Sequence, residues 1–283
     1  MGRDNIALWA HLFCFSSLPS RGAILKLKMS PFLDVERRGR LLEITLNRPD
    51  KRNALDREMC EAIVAACETA EADDSLGAIY WRSIGPVFCS GMDLDEASSA
   101  DAVELTAIHS RLFSLGARLT KPIVCAVQGP ALAGGLGLVA NAHVAIAVHG
   151  TTFGLTEIRI GMWPFAIYRA VEMALGSRRA LELTLSSKIF NTPEALAWGL
   201  VQEVVPPFEL EERGETIALA LANAPTDTVR RGMAFVHQSR SLDAASAMSL
   251  ALDTRADNFK SLDFEEGVRA FREKRAPRWP SHP

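Results

Sequence analysis

The segment PIVCAVQGPALAGGLGLVA, residues 122–140, constrains this chain more than any other. PIVCAVQG reads as a buried strand, and PALAGGLG then leads into a short apolar helix ending near residue 142. Gly134, Gly135 and Gly137 stand at that helix entrance. No side chain covers the backbone N–H groups there, and the positive end of the helix dipole points the same way. Such a place suits a phosphate or a developing oxyanion.

The flanking sequence supplies the rest of an α/β layer. LLEITLN (41–47) alternates apolar and polar residues and reads as a half-buried strand. Asp56 caps a helix running to about residue 72, with Met59, Ile63, Ala66 and Cys67 inward. AIYWRS (78–83) is a second strand, a long helix is expected over 102–119, and VAIAVH (144–149) is another strand. From Pro164 onward strands nearly vanish. Helices are expected over 165–175, 178–186, 193–199, 207–223, 226–238, 242–258 and 263–275. Strand–helix alternation followed by a run of helices implies an α/β core with a helical C-terminal portion. The expected divisions are an N-terminal extension (1–28), a core (29–205) and a helical region (206–283).

Charge and cysteine content narrow the function. Over 283 residues the formal charge is −3, with no basic segment, which argues against nucleic-acid binding. Cys14, Cys60, Cys67, Cys89 and Cys125 show no C-x-x-C spacing and read as free thiols in a reducing compartment, so the chain is expected to be cytoplasmic. No metal-ligand cluster is apparent. No apolar run reaches the roughly 20 residues of a membrane span. Residues 1–28 lack a clean basic start and a small-x-small cleavage site. They are expected to be disordered or an over-long start, with MSPFLDVERRG opening an ordinary strand at Met29.

Gly135, Gly137 and Ala140 formally match the dinucleotide pattern G-x-G-x-x-G/A, with Glu157 about 20 residues on. Two spacings oppose that reading. Several residues separate the strand from the first fingerprint glycine, and Glu157 lies well past the end of VAIAVH. A second glycine loop, VFCSGMDLDE (87–96), stands about 40 residues before the first, with Asp93 as a helix cap.

LNRPDKRNAL (46–55), FCSGMDL (88–94), KPIVCAVQGPALAGGLGLVANAHVAIA (121–147), FGLTEIRIG (153–161), ALELTLSSKIFNTPEALAWGLVQEVVP (180–206) and EGVRAFREKRAPRW (266–279) follow one another in order. Through these motifs the chain resembles the enoyl-CoA hydratase/isomerase (crotonase) superfamily from about Phe32 to Trp279. The resemblance implies a spiral of ββα units, a helical trimerisation region, and an acyl-CoA substrate with no permanently bound cofactor. Position by position, the amides of Met92 and Gly134 form an oxyanion hole for the thioester carbonyl. Arg52, Asn53, Ala54 and Leu55, with Met92, Asp93 and Leu94, line the coenzyme A channel. Phe271 and Lys274 reach a coenzyme A on a neighbouring subunit of a trimer or dimer of trimers.

The same alignment bears on the reaction. Hydratases of this superfamily use two glutamates on one water. The first position is Gly137 here, flanked by Leu136 and Leu138, and no nearby side chain accepts a proton, since Asn141 is neutral and His143 begins the next segment. The second matches Glu157. A single carboxylate beside an oxyanion hole resembles the Δ3,Δ2-enoyl-CoA isomerases, in which one glutamate moves a proton from the α to the γ carbon. Trp163 and Phe165 are expected to keep water from the reacting carbons. Phe165 stands where dienoyl isomerases and aryl-CoA dehalogenases carry an aspartate, and no G-x-S-x-G elbow is present. The alternatives are an enoyl-CoA hydratase of β-oxidation type and a CoA-ester-binding protein with weak or no catalysis. Gly137→Glu is the trial of this account, since it restores the missing carboxylate.

Overall fold

A computed structural model describes residues 24–97 and 102–282. Three strands open it as an antiparallel meander: β1 (Ile24–Ser30), β2 (Leu33–Arg38) and β3 (Leu41–Leu46). Strand β1 passes through Met29, where a strand is expected to open, and among the described residues its pairing with β2 reaches from Ile24 to Ser30. Residues 1–23, with Cys14, lie outside the described residues.

From β3 the sheet continues parallel, through β4 (Ala78–Ser83), β5 (Ile123–Val127), β7 (Val144–Val148) and β10 (Glu203–Val205), in the order β1-β2-β3-β4-β5-β7-β10. Parallel strands need crossovers, and helices supply them. The first is α1 (Arg57–Ala72), where the Asp56 carboxylate accepts the Met59 N–H at 2.8 Å. Its inward Met59, Ile63, Ala66 and Cys67 pack with Leu42, Ile44 and Leu46 in the larger core.

Strand β3 departs from the half-buried expectation. Glu43 and Thr45 alternate with leucine and isoleucine, yet all six residues are buried. The second sheet face is covered by α9 (Leu210–Ala222), whose Ala218 and Ala222 join Leu41, Tyr80 and Val124 in a second core. Glu43, 4% exposed, is held there by Arg38 at 3.2 Å and Arg82 at 3.3 Å. Glu215 and Glu211 of α9 meet the same two arginines, both at 3.1 Å. Burial pushes the Glu43 carboxyl up, and the two arginines only partly offset it.

The helix expected over 102–119 is two: α3 (Ala102–Leu112) and α4 (Leu115–Arg118), after the single turn α2 (Leu94–Ala97). The break seats Gly116 against the Asn141 backbone so closely that a Cβ would collide with its carbonyl oxygen. The helix after the glycine loop is α5 (Gly134–Asn141). Beyond it come α6 (Phe165–Leu175), α7 (Ser177–Ser186) and α8 (Thr192–Ala197), and after α9 a run of α10 (Thr226–Ser239), α11 (Ala244–Phe259) and α12 (Leu262–Glu273). Cys60, Cys67, Cys89 and Cys125 are free and buried, as expected. Among the described residues no helix is long and apolar enough to cross a membrane.

Candidate active site

Three segments run side by side and end at one place. Cys89 bridges Ala131 in parallel, and Ala131, in β6 (Ala131–Leu132), pairs in parallel with Phe153 of β8 (Thr152–Gly154). A few residues beyond that row come Met92, Gly134 and Glu157, one from each segment. Parallel pairing thus delivers residues far apart in sequence to one edge, where β9 (Phe190–Asn191) closes the small sheet on β8.

Backbone contacts at this edge are close. Gly91 has φ +101, and a Cβ there would fall 2.7 Å from Ala133 Cβ and 3.2 Å from Gly134 N. Only glycine lets the two loops meet. Ala133 is held at φ +50, ψ −120, a conformation costing of order 1–3 kcal/mol outside glycine. Its N–H is fixed on Gly154 O at 2.8 Å, and the strained turn opens α5 at Gly134, whose N–H is one of the first-turn amides without an intrahelical acceptor. Met92 bridges Leu55: the Leu55 N–H donates to Gly91 O at 2.8 Å and the Asp93 N–H to Leu55 O at 2.9 Å. Successive amides of an extended chain alternate in direction, so the Met92 N–H faces away from Leu55.

Met92, Gly134 and Glu157 line one cavity of about 240 Å³, walled by Leu55, Leu94, Phe113, Trp163 and Ile167. Glu157 opens a 3-10 turn (Glu157–Ile160) after β8, pinned by the Met162 N–H donating to Glu157 O at 3.1 Å. Glu157 Oε2 is sealed from solvent and has no hydrogen-bond partner among the described residues. Burial pushes this carboxyl above its ordinary value, and the amides of Glu157 and Thr156 only partly oppose it. A carboxylate with one oxygen kept from water and from hydrogen-bond partners has a raised affinity for a proton. A groove of about 750 Å³ adjoins across His109, Phe113 and Phe165, but neither Glu157 nor the two loop amides line it.

Gly137, the first-glutamate position, has no room for a side chain. A Cβ would lie 2.5 Å from Ile167 Cγ2, 2.9 Å from Ile167 Cβ and 2.9 Å from Phe113 Cε1. The glycine is therefore the counterpart of an apolar plug from α6 and the turn that follows α3. Nearby polar side chains are spent on backbone. Asn141 Nδ2 donates to Gly137 O at 2.9 Å, and its Oδ1 accepts the Gly116 N–H at 3.1 Å. His143 Nδ1 accepts the Ile123 N–H at 2.9 Å, and its Nε2 meets Gly116 O at 2.9 Å.

The other sequence-derived positions divide. Leu55 and Leu94 reach the cavity. Asn53 is wholly buried: its Oδ1 accepts the Arg48 N–H at 2.8 Å, and its Nδ2 donates to Ile84 O and Val87 O, both at 2.9 Å. It shapes the turn from within, as does buried Ala54, while Arg52 is exposed beside the Gly91 loop with its carbonyl accepting the Ser90 N–H. Asp93 caps α2 through the Asp95 N–H at 3.0 Å and binds Arg48 at 2.7 Å. Burial raises the Asp93 carboxyl, but Arg48 and the amides outweigh it and hold it below the ordinary value. Phe271 and Lys274 are exposed on and just after α12, outside the cavity lining.

Trp163 leans on Tyr168 with centroids 6.2 Å apart, whereas Phe165 stands 80% exposed at the cavity mouth and is not core packing. Sequence reasoning passed over Arg48, which ties Asp93 to Asp56 (3.2 Å), and His109 of α3, which lines the cavity. The imidazole arrives from a helix remote in sequence.

A parallel sheet, a helical C-terminal portion and two glycine loops meeting beside a half-buried glutamate are the features of the crotonase class of enzymes. The chain belongs to the enoyl-CoA hydratase/isomerase family, whose model matches residues 36–282. It is 32% identical over 272 residues to the mitochondrial enoyl-CoA hydratase domain-containing protein 3 of Danio rerio, covering 93% of this chain and 94% of that one. It is 34% identical over 246 residues to a mevalonyl-coenzyme A hydratase of Aspergillus fumigatus, covering 84% and 91%. Among solved structures, an enoyl-CoA hydratase of Mycobacterium smegmatis superposes with a TM-score of 0.83 at 30% identity, covering 88% of this chain and 99% of that one.

Proposed function

We propose that this chain shifts the double bond of a 3-enoyl-CoA to the 2-position, with Glu157 as the only carboxylate that moves the proton. The observation that carries the reading is the apolar plug: Ile167 and Phe113 occupy the space a first glutamate would need at Gly137. The Glu157 carboxylate takes a proton from the carbon α to the thioester. The electron pair spreads onto the thioester oxygen, which the N–H groups of Met92 and Gly134 receive as a dienolate. Glu157 then returns the same proton to the γ carbon, leaving a conjugated 2-enoyl-CoA and a regenerated carboxylate.

The coenzyme A moiety runs along residues 52–55 and 92–94. Arg52, exposed at a turn of positive φ, is suited to its phosphates. Phe271 and Lys274, exposed at the C-terminal end, meet the coenzyme A of a neighbouring copy in a trimer. Incubation with a 3-enoyl-CoA, followed by mass and ultraviolet analysis, tests the reading. It predicts that the absorbance of a conjugated thioester appears at the mass of the starting thioester, before any change of mass. Binding without conversion would leave a CoA-ester-binding protein instead.

A further inference from the structure

His109 of α3 is buried with an Nε2 unpaired among the described residues; the Nε2 of His237 on α10 is likewise unpaired, but of the two only His109 lines the cavity that holds Glu157. The ring is buried on α3 and lies 5.8 Å from the Phe113 ring, one helical turn on. Nε2 is sealed from solvent with no hydrogen-bond partner among the described residues, whereas both ring nitrogens of His143 are engaged. A buried imidazole nitrogen left unpaired is an anomaly in a folded protein. This one lines the cavity that holds Glu157, Met92 and Gly134, where Glu157 Oε2 is likewise unpaired. The helix that leads into Phe113, which closes the space at Gly137, therefore carries a nitrogen base to the wall of the cavity.

We propose that His109 is a second catalytic group of this site, the base that activates water, so that the cavity adds water to a 2-enoyl-CoA as well as shifting a double bond. This rests on the reading of Met92, Gly134 and Glu157 given above. In the Nδ1–H tautomer, Nε2 offers a lone pair to a water admitted with the substrate, which parts the wall that seals the nitrogen. As Nε2 takes one water proton, the oxygen forms a bond to the β carbon and the α–β π pair moves onto the thioester oxygen. The protonated Glu157 carboxyl then gives its proton to the α carbon. The product is a 3-hydroxyacyl-CoA, carrying one hydroxyl and one hydrogen from water. His109 is left protonated and Glu157 ionised, and one proton passing between them through solvent resets the pair.

The environment suits these roles. Burial holds the His109 imidazole below its ordinary value, and therefore neutral with a lone pair free, while burial raises Glu157. Two groups displaced toward each other from opposite sides make an acid–base pair.

The test compares wild type, His109→Gln, His109→Phe and Glu157→Gln on a 3-enoyl-CoA and a 2-enoyl-CoA, with folding checked by circular dichroism. The quantity read is the ratio of hydration to isomerisation. It is expected to fall by at least about a hundredfold in His109→Gln, the scale of losing a general base, and similarly in His109→Phe. Two replacements are used so that one folded variant suffices. A ratio unchanged within about threefold, or both rates falling in step, would make His109 a packing residue and overturn the proposal. So would a wild type that hydrates no 2-enoyl-CoA, a result that needs no variant. Glu157→Gln separates the two readings. If it keeps isomerisation, the Glu157 mechanism fails; if it loses isomerisation while the His109 variants keep the ratio, only the present proposal fails.

Discussion

Restoring a glutamate at position 137 is expected to fail as a single substitution, and the reason is steric. The Cβ of any side chain there falls 2.5 Å from Ile167 Cγ2 and 2.9 Å from both Ile167 Cβ and Phe113 Cε1. Both neighbours are buried, and Ile167 offers its branch point rather than a flexible tip. Overpacking of this kind costs about 1–3 kcal/mol, and the upper half applies when three contacts lie under 3 Å. Replacing a helical glycine by alanine returns about 1 kcal/mol. Gly137→Ala is therefore expected to destabilise by about 1–2 kcal/mol. Gly137→Glu is expected to lose more, because its carboxylate enters an apolar wall, and to gain no hydratase activity. Trimming the plug tests the cause. Ile167→Ala removes Cγ2, so urea unfolding of the Gly137→Ala/Ile167→Ala cycle is expected to show a favourable coupling of about 1–3 kcal/mol. Additive losses, or a Gly137→Ala variant as stable as wild type, would refute the claim that Ile167 and Phe113 exclude a side chain.

Other outcomes follow from the same structure. Asn53→Ala leaves the Arg48 N–H and the Ile84 carbonyl without this partner, while Val87 O keeps Gln128 Nε2 at 3.4 Å, and is expected to cost about 2–6 kcal/mol in denaturant unfolding, from roughly 1–3 kcal/mol for each of the two groups. Glu157→Gln is expected to raise the melting temperature at neutral pH. The folded carboxyl sits above its ordinary value of 4.5, so native stability is fullest below 4.5 and lost as pH rises through the folded value. The advantage of glutamine, read from melts across pH, therefore shrinks below pH 4.5; a constant advantage would contradict the burial argument. Isomerisation needs ionised Glu157, so its rate is expected to fall on the acid side at a pH above 4.5, and a limb at or below that value would count against the assignment.

Local rules read much of this chain correctly from its residues. Asp56 caps α1, β4 occupies residues 78–83, and α6 covers 165–175, because a cap, a strand and an amphipathic helix are set by neighbours in sequence. The glycine loops were legible for the same reason, and the order of the motifs carried the family. What escaped depends on partners far along the chain. LLEITL alternates as a half-buried strand does, yet α9, more than 160 residues on, covers its polar face, and Arg38 of β2 and Arg82 of β4 pair with Glu43 beneath it. A lone histidine on a helix has no periodic signature, so His109 was invisible until α3 was packed over the cavity. The glycine at 137 announced a missing carboxylate, but only the packing shows that Ile167 and Phe113 took its space.

The central claim is that Glu157 moves the proton of an enolate held by the amides of Met92 and Gly134. Single-turnover and steady-state conversion of a 3-enoyl-CoA by Glu157→Gln, with binding of the thioester measured alongside, tests it most directly. The account predicts a turnover at least about a hundredfold below wild type with binding retained. Turnover within a few-fold of wild type would contradict it.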